Sequence, residues 1–187
     1  MSVVTLLPHG RPLTRADLDR MPDDGHRYEL VDGVLIVSPS PRRGHQRAVY
    51  RLWQLLDDAC TAQFEVLGAP FDVVLAEDTV MIPDVLVARR ADLTERDLPT
   101  APALAVEVLS PSTRRFDLML KRSRFEAAGA QAYWVVDPDE PYLIAWELRE
   151  GGYVEVAHVR ADEPYHARRP FPVTVVPAGL VEERARQ

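Results

Sequence analysis

Lysine is almost missing from this chain. Of its 22 basic residues one, Lys121, is lysine and the other 21 are arginine, and asparagine is absent altogether. A sequence so rich in Arg, Ala and Pro carries the mark of a GC-rich codon pool, in which lysine drifts to arginine wherever a surface cation suffices. The surviving lysine is therefore either the last one by chance or a position where arginine will not serve. An ammonium is a compact point charge, whereas a guanidinium is a wide planar fork.

Other absences narrow the function. The single cysteine, Cys60, excludes an intramolecular disulfide and a cysteine-based zinc site. It ends a helical pattern and is expected in the core. The five histidines, at 9, 26, 45, 158 and 166, never fall at H-x-x-x-H spacing, which argues against a zinc enzyme. No apolar run approaches the roughly 20 residues of a membrane span, and the N-terminal run is cut by Pro8 without a basic leader. A cytoplasmic protein without a membrane partner is expected. There is no serine-nucleophile motif and no phosphate-cradling glycine loop, so acyl transfer and nucleotide hydrolysis fit poorly. The formal net charge of −7 weighs against strong non-specific affinity for nucleic acid.

What is present is ordinary globular material: 187 residues, 47% hydrophobic and 27% charged, with no repeat and no linker. One domain spanning 1–187 is expected. "LTRADLDRM" reads as a short helix with Thr14 as N-cap and Asp17 three residues on. "HRYELVDGVLIVSPSP" reads as a hairpin about Asp32-Gly33, closed by Pro39 and Pro41. Residues 42–60 carry Ala48, Leu52, Leu55, Leu56 and Ala59 at helical spacing.

Strands follow in "QFEVLG", "FDVVLA" and "TVMIPDVLVA", then a charged loop over 89–102 and the buried-looking run "ALAVEVLS". A helix from about Thr113 to Ala128, ended by Gly129, leads to "AYWVVD" and completes a crossover unit with parallel strands. Ser110 and Ser112 are expected to cap that helix. "YLIAWEL" and "YVEVAHV" add an antiparallel hairpin, and "FPVTVV" with the tail "VEERARQ" either completes the sheet or serves an interface. The fold class is α/β shading to α+β, a mixed sheet flanked by two long helices.

Two acids stand inside apolar strands, where an unpaired charge costs several kcal/mol and calls for a partner or an ion. They are Asp84, after Pro83, and Glu107 in "ALAVEVLS". One on each of two neighbouring strands could hold a hard divalent cation through oxygens, Mg²⁺ or Mn²⁺. A strand-end cap or turn residue for Asp84 and a satisfied core acid for Glu107 are the alternatives. Asp117 and Lys121 are four apart and share a helix face, beside an apolar stripe of Phe116, Leu120 and Ala127.

The segment "IPDVLV…APALAVEVLSPSTRRFDLMLKRSRFEAAGAQAYWVVDPDE", with "RYELVDGVLIVSPSP" and "GHQRAVYRLWQLL" upstream, resembles the Uma-type restriction endonuclease family of the PD-(D/E)XK superfamily, over about residues 12–160. "VEVLSPST", the D-L-x-x-K of residues 117–121 and "YWVVDP" carry the resemblance. It implies a restriction-endonuclease-like core with an N-terminal hairpin and a C-terminal antiparallel extension, and a Mg²⁺- or Mn²⁺-dependent endonuclease acting on nucleic acid, DNA first. Asp84 and Glu107 would be its catalytic acids and metal ligands. The superfamily lysine belongs two residues after the glutamate, where this chain has Leu109, so Lys121 on the following helix takes its role.

Glu29 and His45 also match family positions. Glu29 is either a third carboxylate near the metal or a strand-edge acid paired with Arg27 or a neighbour, and His45 is an accessory hydrogen-bonder, a phosphate contact or a plain helix-terminus residue. Arg42, Arg43, Arg47, Arg114 and Arg115 form a possible phosphate rim or ordinary solvated faces. Cutting both strands at once needs two sites, which a symmetric homodimer would supply. The competing class is a catalytically silent binding or scaffold module on the same fold.

Overall fold

The computed structural model of the chain describes residues 10–111 and 113–182. Ser112 and tail residues 183–187 lie outside them. The first described element is one helical turn, α1 (Arg15–Leu18), in which the Asp17 carboxylate accepts the Thr14 N–H at 2.9 Å, the expected capping arrangement. β1 (Arg27–Val31) and β2 (Val34–Ser38) then pair antiparallel, Val31 opposite Val34. Asp32 and Gly33 both take positive φ, 51° and 74°, as the tightest hairpin turn requires. A Cβ on Gly33 would lie 2.4 Å from that of Pro12, so only glycine fits beneath the incoming chain.

α2 (Arg43–Ala59) fulfils its periodicity. Ala48, Leu52 and Leu56 are fully buried, Leu55 and Ala59 partly, and each buried leucine contributes about 1.5–3 kcal/mol to holding the helix on the sheet. Cys60 caps the helix half-buried against the core instead of inside it.

β3 (Phe64–Gly68), β4 (Asp72–Ala76), β5 (Thr79–Met81), β6 (Val85–Arg89), β7 (Asp97–Leu98), β8 (Leu104–Val108), β9 (Ala132–Asp137), β10 (Tyr142–Arg149) and β11 (Gly152–Arg160) do not form one sheet. A six-stranded sheet runs β11-β10-β9-β8-β6-β3, and a five-stranded sheet runs β2-β1-β5-β4-β7. The chain changes sheets inside "TVMIPDVLVA": Pro83 has no N–H for a ladder, so β5 ends in one layer and β6 begins in the other. The crossover unit is as expected, β8 and β9 pairing in parallel with Glu107 opposite Val135. β7 arises inside the charged loop and pairs parallel with β4. "FPVTVV" supplies β13 (Val173–Val175), which forms a separate ribbon with β12 (Tyr165–Ala167) before α4 (Pro177–Val181).

Strand alternation sorts the six-stranded sheet into two faces. Val85, Val87, Leu104, Val106 and Trp134 pack with α2. Leu86, Ala88, Ala105, Tyr133 and Val135 pack with Val31, Val73 and Met81 of the five-stranded sheet. Asp84 shares the parity of Leu86, and Glu107 that of Ala105, so both acids face this second interlayer space.

The helix over that space departs from the expected geometry. Residues Phe116–Lys121 form a π-helical segment, and only Arg122–Ala128, α3, is α-helical. The wider turn rotates the faces. Asp117 and Lys121 are buried, while Phe116, expected on the apolar stripe, is exposed with Met119. The Tyr133 hydroxyl of β9 donates to the Asp117 carbonyl at 2.7 Å and ties the π turn to the sheet. Gly129, at φ 85°, ends α3: its N–H reaches the Glu126 carbonyl and the Ala130 N–H the Phe125 carbonyl.

Candidate active site

Asp84 stands one residue before β6. β6 pairs antiparallel with β8, Val85 opposite Val106, and extending that register by one residue sets Asp84 opposite Glu107. The Asp84 carboxylate accepts three hydrogen bonds: from Arg27 Nη1 at 2.8 Å, from His45 Nε2 at 3.1 Å and from the Val108 N–H at 2.9 Å. Burial alone would raise its pKa, but the His45 hydrogen bond and the Arg27 charge outweigh burial and hold the carboxyl well below its ordinary range.

Lys121 reaches the other end of the cluster. Its Nζ lies 2.9 Å from Glu29 Oε1, 3.1 Å from Glu107 Oε1 and 3.6 Å from Asp117 Oδ1. Burial by itself would depress the ammonium, yet Glu107, Glu29 and Asp117 around it drive its pKa above the usual lysine value. Glu107 moves the other way. Burial raises it well above an ordinary glutamate, Lys121 only partly offsets this, and Asp117 and Asp84 add repulsion. Asp117 is raised for the same first reason. Glu29 also accepts the Ile82 N–H at 2.8 Å, which fixes β1 to the strand switch.

Four expected residues from four elements thus meet. Glu29 comes from β1, Asp84 from the switch before β6, Glu107 from β8 and Lys121 from the π segment. Asp117 and His45 join them, His45 because it points inward from the first turn of α2 at 9% exposure. The arginines separate. Arg42 lies at the mouth of a cleft of about 1350 Å³ whose lining includes Asp84, His45 and Arg27. Arg47 donates to the Val181 carbonyl at 3.1 Å and so faces α4, and Arg114 is paired with Asp137 and donates to the Tyr142 hydroxyl at 3.1 Å. Arg43 and Arg115 are exposed.

Arg27 is the member that sequence reasoning assigned only to Glu29. Its Nε is 3.8 Å from Glu29, too long for a hydrogen bond, and its firm partner is Asp84. The signal was there: Arg27 and Glu29 are two apart on one strand, so if one enters the site the other must.

A family model described as "Putative restriction endonuclease", Uma2, matches residues 15–178. The chain belongs to the Uma2 family. None of the curated proteins matches it significantly. Among solved structures, Uma2 membership is accompanied by a likeness to a "putative nuclease belonging to DUF820" from Anabaena variabilis ATCC 29413. The TM-score is 0.68 at 18% identity, over 85% of this chain and 90% of that one. At that identity the likeness concerns the fold, and the fold is the mixed α+β nuclease type. No helix among the described residues of this Uma2 protein is long and apolar enough to cross a membrane.

Proposed function

We propose that the chain is a divalent-metal-dependent endonuclease that hydrolyses phosphodiester bonds of nucleic acid, DNA first, with Asp84 and Glu107 as metal ligands and Lys121 as the catalytic cation. The observation that carries this reading is the charge of the cluster. Glu29, Asp84, Glu107 and Asp117 are each at most 3% exposed, and the permanent cations among them are Arg27 and Lys121. With all four ionised the cluster carries an excess of two negative charges over Arg27 and Lys121, and burial pushes Glu107 and Asp117 toward their protonated forms. One dication supplies the same neutralisation.

The donor set is all oxygen, as Mg²⁺ and Mn²⁺ prefer; because no group of three or more His, Cys, Asp and Glu among the described residues gathers at metal-holding geometry, the ion would rest on two carboxylates alone. Two carboxylates with water and substrate phosphate completing the shell is the usual Mg²⁺ arrangement. When bound, the ion would polarise the phosphate and lower the pKa of a water. Glu107 from β8 and Asp84 from the switch before β6 would hold the ion. Lys121, fixed by Glu29 and Glu107, would orient the attacking water and stabilise the charge developing on phosphorus. Cutting both strands of a duplex together would take two copies of the site.

Supercoiled plasmid and single-stranded DNA incubated with Mg²⁺ or Mn²⁺ test the proposal, beside Asp84→Ala, Glu107→Ala and Lys121→Ala. Nicking lost in all three variants is expected. Nicking that survives in them would belong to another protein. A silent nuclease-fold module is the second reading, favoured by the complete pairing of Asp84 and Lys121 within the chain. It predicts no nicking by the wild type under any metal.

A further inference from the structure

We infer that Arg27 is a resident counter-ion on the cation seat, which a divalent ion displaces from Asp84 and frees to bind substrate phosphate in the cleft. This rests on the metal-dependent reading above and adds a residue and a function to it. Arg27 Nη1 holds Asp84 Oδ1 at 2.8 Å, the one carboxylate oxygen of Asp84 not already bound by both His45 and the Val108 N–H. Oδ1 is therefore the oxygen through which Asp84 would meet an ion, and a guanidinium stands on it.

The seat suits Arg27 badly. A guanidinium has five N–H donors in a fixed fork that matches a carboxylate in two parallel bonds. Here one Nη reaches Asp84, and Nε is buried without a hydrogen-bond partner, 3.8 Å from Glu29. A buried donor left unmade is an energetic cost that a change of partner relieves. Lys121 is different: at 2% exposure it has three carboxylates within 3.6 Å and no route out. Arg27 keeps a 23% exposed side chain and forms part of the cleft wall, so its open side faces the cleft. Net charge agrees. A dication replacing a monocation on Asp84 supplies one of the two missing positive charges, and the freed guanidinium meets the anionic substrate a few ångströms away.

The test is calorimetric titration of Mn²⁺, without nucleic acid, into the wild type, Arg27→Met, Arg27→Lys and Arg42→Met. Arg42→Met makes the same charge change at the cleft mouth, and thermal unfolding confirms that each variant is folded. Arg27→Met is expected to bind Mn²⁺ at least threefold more tightly than the wild type, with Arg42→Met close to wild type and Arg27→Lys between. Equal or weaker binding by folded Arg27→Met, or equal tightening by Arg42→Met, overturns the inference and leaves the nuclease reading intact. If no variant and not the wild type binds Mn²⁺, the nuclease reading falls and takes this one with it.

A measurement on the wild type stands in if Arg27→Met does not fold. The Nε–Hε NMR signal of Arg27, assigned by its loss in Arg27→Lys, should shift as Mg²⁺ is added. Saturation with Mg²⁺ without that shift overturns the displacement. Binding of a phosphorothioate oligonucleotide with Mg²⁺ should weaken about tenfold in Arg27→Met even as Mn²⁺ binds more tightly, an opposite pair that general loosening of the site would not give. Unchanged oligonucleotide binding overturns the phosphate role.

Discussion

Lys121 and Glu107 form a buried ion pair, Nζ to Oε1 3.1 Å, each at most 2% exposed. Removing one member of such a pair leaves an uncompensated charge in the core, which typically costs about 3–5 kcal/mol. Lys121→Met is therefore expected to lower stability by about that amount near neutral pH in urea unfolding. The loss should be smallest at low pH and grow as pH rises through the raised Glu107 value. Lys121→Arg keeps the charge but forces a planar fork among three carboxylates, and about 1–3 kcal/mol of overpacking is expected. Wild-type stability in Lys121→Arg would mean that the lone lysine is only a survivor of codon drift.

The carboxyls of the cluster pull stability in opposite directions with pH. Asp84, held low, contributes stability that is present above its ordinary pKa and is lost as pH falls through the depressed value. Glu107 and Asp117, held high, contribute stability that is full below their ordinary values of 4.5 and 3.8 and is lost as pH rises through the raised ones. Above the ordinary carboxylate range, where Asp84 is ionised in both states, the second pair dominates. Thermal unfolding of the protein in the presence of a chelator should show Tm falling as pH rises from the ordinary carboxylate values through the raised ones, and Glu107→Gln should flatten the slope. A slope unchanged by Glu107→Gln would contradict the raised Glu107 pKa.

His45 is expected to position Asp84 through Nε2. Glutamine can present an N–H at a similar reach, alanine cannot. In the nicking assay His45→Ala should lose about tenfold in rate, corresponding to one hydrogen bond to a charged group, and His45→Gln should recover most of it. Equal losses in both would remove Nε2 from the account.

The basic residues divide into two classes by their partners. Arg47→Ala should cost about 1 kcal/mol of stability through its bond to the Val181 carbonyl, with oligonucleotide affinity unchanged. Arg42→Ala, at the cleft mouth, should weaken oligonucleotide binding and flatten its salt dependence by about one phosphate contact. Fluorescence anisotropy at several salt concentrations separates the two.

Much of this geometry can be read in the chain because acids within apolar strands are rare and alternation fixes their face. That reasoning brings Asp84 and Glu107 to adjacent strands, and the crossover unit sets Lys121 above them. Two things resist it. The π segment has no periodic signature, so Phe116 reads as buried when the extra residue in the turn swings it out. The division into two sheets depends on which partner a strand finds, a non-local choice; Pro83 marks the place but not the consequence. The pairing of Arg27 with Asp84 is not legible because the two are 57 residues apart.

That division has an outcome of its own. Glu29 belongs to one sheet and Glu107 to the other, with Asp84 at the switch between them, and the lysine that joins the two glutamates rides on the connecting helix. The site has no existence on either half alone. Any fluctuation that lifts the N-terminal hairpin away from its neighbour must also break the Glu29–Lys121 contact, so chemistry and cooperative docking of the layers would be lost and regained together.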